Sequence, residues 1–110
     1  VRILLLDDNL MTSARLVNFL RSRGCEVLLA RQLPDQSTFV FDWVILNLGS
    51  RSMNGIGLLT QAQSTFPDAK TAGFCGHLEI EIRRAAKAAG IGHLMTNEQV
   101  AEQLEKLLHL

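Results

Sequence analysis

The feature that most constrains this chain is an alternation: short apolar runs are followed, along its whole length, by stretches with helical spacing. Residues 1–6 are apolar except for Arg2 and end in Asp7-Asp8-Asn9. A short run that is apolar on both faces reads as a strand buried on both sides, as in a parallel sheet. Residues 10–23 then carry Leu16, Val17 and Leu20 at helical spacing and stop at Gly24. A second strand is expected over 25–30. The stretch 32–41 is weak, with Pro34-Asp35 placed to open at most a short helix.

The same alternation continues to the end of the chain. Residues 44–48 predict a third strand, 49–57 a Gly- and Ser-rich loop, and 56–66 a helix closed by Pro67-Asp68. A fourth strand over 70–75 is weakened by Gly73. Residues 78–89 place Leu78, Ile82, Ala85, Ala86 and Ala89 on one helical face before Gly90. A short fifth strand covers 93–95. Thr96 and Gln99 form a capping pattern ahead of a last helix with Val100, Leu104, Leu107 and Leu108 on one side.

Five strands alternating with about five helices call for a parallel sheet covered on both faces, and 110 residues make one domain. The expected fold is α/β, a flavodoxin-like three-layer sandwich with strand order 2-1-3-4-5 and a second helix that is short. In that order a site lies beyond the carboxyl ends of the strands, where the order reverses between strands one and three. Eleven Lys and Arg balance eleven Asp and Glu, so the usual electrostatic footprint of a nucleic-acid or membrane binder is missing. No apolar run reaches the roughly 20 residues of a membrane span. The start turns acidic too soon for a signal peptide. Cys25 and Cys75 lack metal-like spacing and suit a reducing compartment, so a cytoplasmic location is expected.

The topology names the residues gathered at the switch point. Strand one delivers Asp7 and Asp8, strand three Asn47, strand four Cys75, and strand five Thr96 and Asn97. Adjacent carboxylates suit a hard divalent ion such as Mg2+. Equally, Asp7 or Asp8 could cap the first helix.

At these residues the sequence resembles the receiver domain of two-component response regulators, over essentially its whole length. The carrying segments are Ile3-Leu4-Leu5-Leu6-Asp7-Asp8, Asp42-Trp43-Val44-Ile45-Leu46-Asn47-Leu48 and Met53-Asn54-Gly55. Pro67-Asp68 and Ala88-Ala89-Gly90 add to them. The resemblance implies a phosphorylated Asp eight residues before the Gly of the Met-x-Gly turn, and position 47 stands eight before Gly55. It also implies that this Asp and the acidic pair hold Mg2+. A Ser or Thr ending strand four would follow the phosphoryl group, a Lys ending strand five would pair with it, and an aromatic residue in strand five would report the switch.

Only the acidic pair carries over, to Asp7 and Asp8. The phosphoacceptor position is Asn47, the Ser/Thr position Cys75, the Lys position Asn97 and the aromatic position Leu94, while Glu98 and Arg51 stand where Pro is usual. An amide has no anionic oxygen, so Asn47 cannot act as a carboxylate nucleophile. It can offer a metal only a neutral carbonyl, which leaves Mg2+ weak at best. Losing the Asp and Lys charges together avoids stranding either one. The expectation is a pseudo-receiver, not an enzyme, with no required cofactor.

Other readings compete with it. One is a conventional regulator domain phosphorylated or metal-bound at Asp7/Asp8. Another is a small metal-dependent enzyme using Asp7, Asp8, Cys75 and His77, although no nucleophile and base pair is evident. A thiol at position 75, in an apolar strand near acidic residues, is expected to have a raised pKa. A flavin-type cofactor is disfavoured because the loop after strand one is acidic and lacks a phosphate-cradling Gly pattern.

With chemistry set aside, surfaces carry the function. Arg83, Arg84 and Lys87 on the fourth predicted helix and Glu98, Glu102 and Glu105 at the last one offer a charge-complementary face for a homodimer or a partner. The bland alternative is solvated helix faces with pairs such as Glu79–Arg83 at i, i+4. The first helix, with Arg15, Arg21 and Arg23, is where the resemblance implies a histidine kinase would dock. The expected partners are a histidine kinase, another signalling protein or an output domain, the chain being a stand-alone adaptor or a piece of a larger regulator.

Overall fold

The structure, a computed structural model, describes residues 1–35, 40–50 and 52–110. The elements run β1 (Arg2–Leu6), α1 (Leu10–Ser22), β2 (Glu26–Ala30), β3 (Trp43–Asn47), α2 (Gly55–Thr65), β4 (Lys70–Cys75), α3 (Ile80–Ala88), β5 (His93–Thr96) and α4 (Val100–Leu107). The strands form one sheet of order β2-β1-β3-β4-β5, every pairing parallel. This is the expected flavodoxin-like order.

The doubly apolar strands explain the three layers. Side chains alternate across a strand, so Ile3, Leu5, Ile45 and Phe74 face one way while Leu4, Leu6, Val44 and Leu46 face the other. The first set packs under Leu16, Val17 and Leu20 of α1 and Val100 and Leu104 of α4. The second packs under Leu59 and Ala62 of α2 and Ala86 of α3. Ile3, Leu4, Leu5 and Leu6 are all fully buried, each contributing on the order of 1.5–3 kcal/mol by leaving water.

Two glycines place the loops at the carboxyl end of β3. A Cβ on Gly55 would sit 2.9 Å from the Leu48 Cα, so α2 starts hard against the backbone that follows β3. A Cβ on Gly73 would meet the side chains of Leu48 and Ile91 at 2.6 and 2.8 Å. Gly73 therefore lies inside a fully paired β4, making room for neighbours instead of weakening the strand.

The structure corrects several expectations. Among the described residues there are four helices, not about five. Residues 31–35 and 40–42, between β2 and β3, carry no helix, and Leu33 and Phe41 cover that part of the sheet instead. The rest of the expected short helix (36–39) and Arg51 lie outside the described residues. α3 begins at Ile80, leaving Leu78 77% exposed instead of on the buried face. Thr96 ends β5 and its hydroxyl meets the Gln99 side chain at 3.3 Å, but α4 starts at Val100 without a side-chain cap.

Candidate functional site

The carboxyl ends of β1, β3, β4 and β5 open into a cleft of about 1090 Å³. Its lining includes Asp8, Arg15, Asn47, Ser50, Glu79 and Asn97. It lies at the switch point between β1 and β3 that the strand order creates.

The floor on the β1–β3 side is a set of hydrogen bonds centred on Asp7 and Asn47. Asp7 is buried, and its Oδ1 accepts the Asn9 N–H at 3.0 Å and the Asn47 side-chain amide at 2.9 Å. The Asn47 Oδ1 in turn accepts the Gly49 N–H at 3.1 Å. Only this orientation of the amide satisfies both contacts, because the flipped one would set oxygen against oxygen and N–H against N–H. Asp8 is half-buried and accepts the Ser50 hydroxyl at 2.7 Å, while Ser50 Oγ accepts the Met53 N–H at 3.2 Å. Neither carboxylate is the helix cap: Asn9 caps α1, its side chain accepting from Met11 and Thr12.

The β4–β5 side is built from α3. Cys75 is fully buried in the layer beneath α2 and α3. Burial pushes its thiol pKa up, with Glu79 adding to the rise, while Arg83 works against it through a hydrogen bond and its charge. Arg83 Nη1 reaches the Met95 carbonyl at 3.3 Å and Cys75 Sγ at 3.7 Å. The Glu79 carboxylate turns back to accept the Gly76 N–H at 2.7 Å. The Glu79–Arg83 pair read from helical spacing is therefore absent from the ion pairs among the described residues.

The remaining predicted residues are distributed as follows. Asn97 is exposed on the cleft rim, and its backbone N–H bonds to the Cys75 carbonyl. Leu94 is half-buried against the layer under α2 and α3. Arg84 and Lys87 are exposed, Glu102 is 4.0 Å from Lys106, and Glu105 pairs with Arg23 at the end of α1 at 3.3 Å. His77 is exposed, and His93 stacks on Trp43 at the amino end of the sheet. Sequence reasoning missed Ser50 and Glu79 as cleft groups and gave Arg83 a surface role. The one available signal was Gly76 three residues before Glu79.

One feature here favours a cation: Asp7 Oδ2 is buried with no hydrogen-bond partner among the described residues. The rest of the donor set does not fit Mg2+. Asn47 presents an N–H to Asp7, and its only oxygen is engaged by Gly49. Asp8 Oδ1 is engaged by Ser50. Among the described residues no three His, Cys, Asp or Glu side chains are gathered to hold a metal.

No protein-family model matches the sequence, and no curated protein does. Solved structures do match the fold. The signal receiver domain of an HD domain-containing protein from Pseudomonas fluorescens is 21% identical, covers 98% of this chain and 83% of its own, and superposes with a TM-score of 0.85. The chemotaxis protein CheY4 of Vibrio cholerae is 20% identical over 99% of this chain and 96% of its own, with a TM-score of 0.84. The receiver domain of NtrX from Brucella abortus is 20% identical over 97% and 94%, also with a TM-score of 0.84. The chain thus has the fold of the CheY-like response-regulator receiver domains, with an amide at the carboxyl end of its third strand.

Proposed function

We propose that this domain is a pseudo-receiver: a signalling domain that acts through protein contacts without being phosphorylated at position 47. The observation that carries the reading is the Asn47 side chain, an amide held between Asp7 and the Gly49 N–H. An acyl phosphate needs an anionic oxygen nucleophile at that point, and the amide has none. Asn97, exposed at the rim, supplies no ammonium to offset phosphoryl charge. The domain is not an enzyme in this reading, and Mg2+ binds it only weakly.

The partner is another signalling protein, such as a histidine kinase docking on α1, an output domain of the same regulator, or a second copy of the chain. Sedimentation across a salt series tests the last of these; a monomer at high concentration and low salt removes the homodimer.

The central test is intact-mass spectrometry after incubation with acetyl phosphate and Mg2+, beside an Asn47→Asp variant. No adduct is expected on the natural protein. A stable adduct on it overturns the reading, and mapping to Asp7 or Asp8 would then reassign the acceptor.

A further inference from the structure

We infer that Glu79 is a tethered anion that occupies the β4 end of the cleft and bars phosphate-like anions from it. This deepens the pseudo-receiver reading and rests on it, because it assigns to one residue the exclusion of free phosphate from the same cleft. The Glu79 Oε2 accepts the Gly76 N–H at 2.7 Å, the short separation of a charge-assisted hydrogen bond. The same oxygen lies 2.8 Å from where a Cβ on Gly49 would stand, and 3.3 Å from one on Gly76. The carboxylate therefore lies down between the loop after β3 and the loop after β4, in room that the glycine at position 49 leaves open.

The backbone holds this carboxylate in place of an ion pair. Arg83, the natural i, i+4 partner, spends a guanidinium N–H on the Met95 carbonyl and Cys75 Sγ. Neighbouring donors are committed as well: the Gly49 N–H to Asn47, one N–H of the Asn47 amide to Asp7, and the Ser50 hydroxyl to Asp8. An incoming anion at the β4 end must displace Glu79 from Gly76 and then sit beside it, in a cleft also lined by Asp8 and where, among the described residues, Arg15 is the lining cation. Like charges a few ångströms apart near a protein surface repel one another strongly. The cleft consequently selects neutral or cationic groups.

The test is titration of the intact domain with inorganic phosphate, followed through the backbone amide resonances of Gly49 and Gly76. The natural protein is expected to show flat curves. Glu79→Ala is expected to give a saturable shift at Gly76, with phosphate affinity raised roughly tenfold or more, the factor that about 1.4 kcal/mol represents. Glu79→Gln keeps an acceptor for Gly76 but removes the charge, and should fall between the two. It is also the variant that decides the matter if the Ala form does not fold. Saturable shifts in the natural protein, or equally flat curves in the natural protein and the folded variants, overturn the role of Glu79. The covalent phosphorylation test stands apart: an adduct on the natural protein defeats the pseudo-receiver reading, whereas folded Glu79 variants that titrate as flat as the natural protein defeat only this one.

Discussion

The two sides of the cleft are finished in opposite ways. On the β1–β3 side, a buried carboxylate is closed over by residues next to the strand ends: Asn9 two positions on, and Asn47 as the last residue of β3. On the β4–β5 side, the fittings come from the start and first turn of α3. Glu79 reaches back to Gly76, and Arg83 reaches across to β5. The first side carries the acidic pair that the resemblance implies, with Asp7 hydrogen-bonded by the Asn47 amide and Asp8 by the Ser50 hydroxyl. The second side carries the Glu79 carboxylate and the Arg83 guanidinium, where the resemblance implies a Lys and a hydroxyl. The floor is held by donors beside the strand ends, whereas the opposite wall draws its side chains from a helix and the residue before it.

The contrast predicts its own largest effect. Asp7→Ala removes the acceptor of two part-buried N–H groups, leaving both donors unmet, and should cost about 2–4 kcal/mol in urea unfolding. Asp8→Ala, half-exposed and bonded to one hydroxyl, should cost under about 1 kcal/mol by the same measurement. Equal losses at the two positions would break the distinction between buried floor and open wall.

Asn47→Asp is next in size. It replaces the N–H that faces Asp7 with an oxygen, so a loss of about 1–3 kcal/mol is expected without metal. Added Mg2+ should recover stability in this variant and change little in the natural protein, a difference that thermal unfolding with and without the ion would read. Recovery in both proteins would mean that the natural floor already admits the cation.

Arg83→Ala should cost about 1 kcal/mol through its bond to Met95. It should also slow modification of the Cys75 thiol at a fixed alkaline pH, because the group that lowers the thiol pKa is gone. Arg84→Ala, exposed one residue away, should do neither. A thiol that is unchanged in Arg83→Ala would detach Arg83 from this side of the cleft.

The smallest effect lies in pH dependence. Burial raises the pKa of Cys75 in the folded state, so the unfolded thiol ionises first as pH rises past its ordinary value of about 8.5. The unfolded state then binds fewer protons than the folded one, and stability falls from there up through the raised folded value. Below the unfolded value this contribution is fully present. Cys75→Ala should flatten the alkaline limb, and an unchanged slope would place the titration elsewhere.

Much of this was legible in the residues themselves. Four consecutive apolar residues, Ile3 to Leu6, demand cover on both faces whatever follows them, which is why the layered parallel sheet and the gathering of Asp7, Asp8, Asn47 and Cys75 near its carboxyl end could be read directly. The eight-residue spacing from Asn47 to Gly55 also has a local cause, since Gly55 is needed where α2 meets the backbone of Leu48. The start of α3 was harder to read. Leu78 fits a helical face by spacing, but spacing carries no information about a carboxylate folding back on Gly76. Arg83 and Glu79 look like a surface pair for the same reason.

The pattern of apolar residues by itself determined the class, the strand order expected for that class and which strand ends meet, because burying those runs leaves few arrangements. Where each polar side chain spends its hydrogen bonds was decided only by the tertiary structure. A long charged side chain such as Glu79 or Arg83 has several partners within reach along the helix. The choice among them depends on donors and acceptors that the fold brings in from other strands.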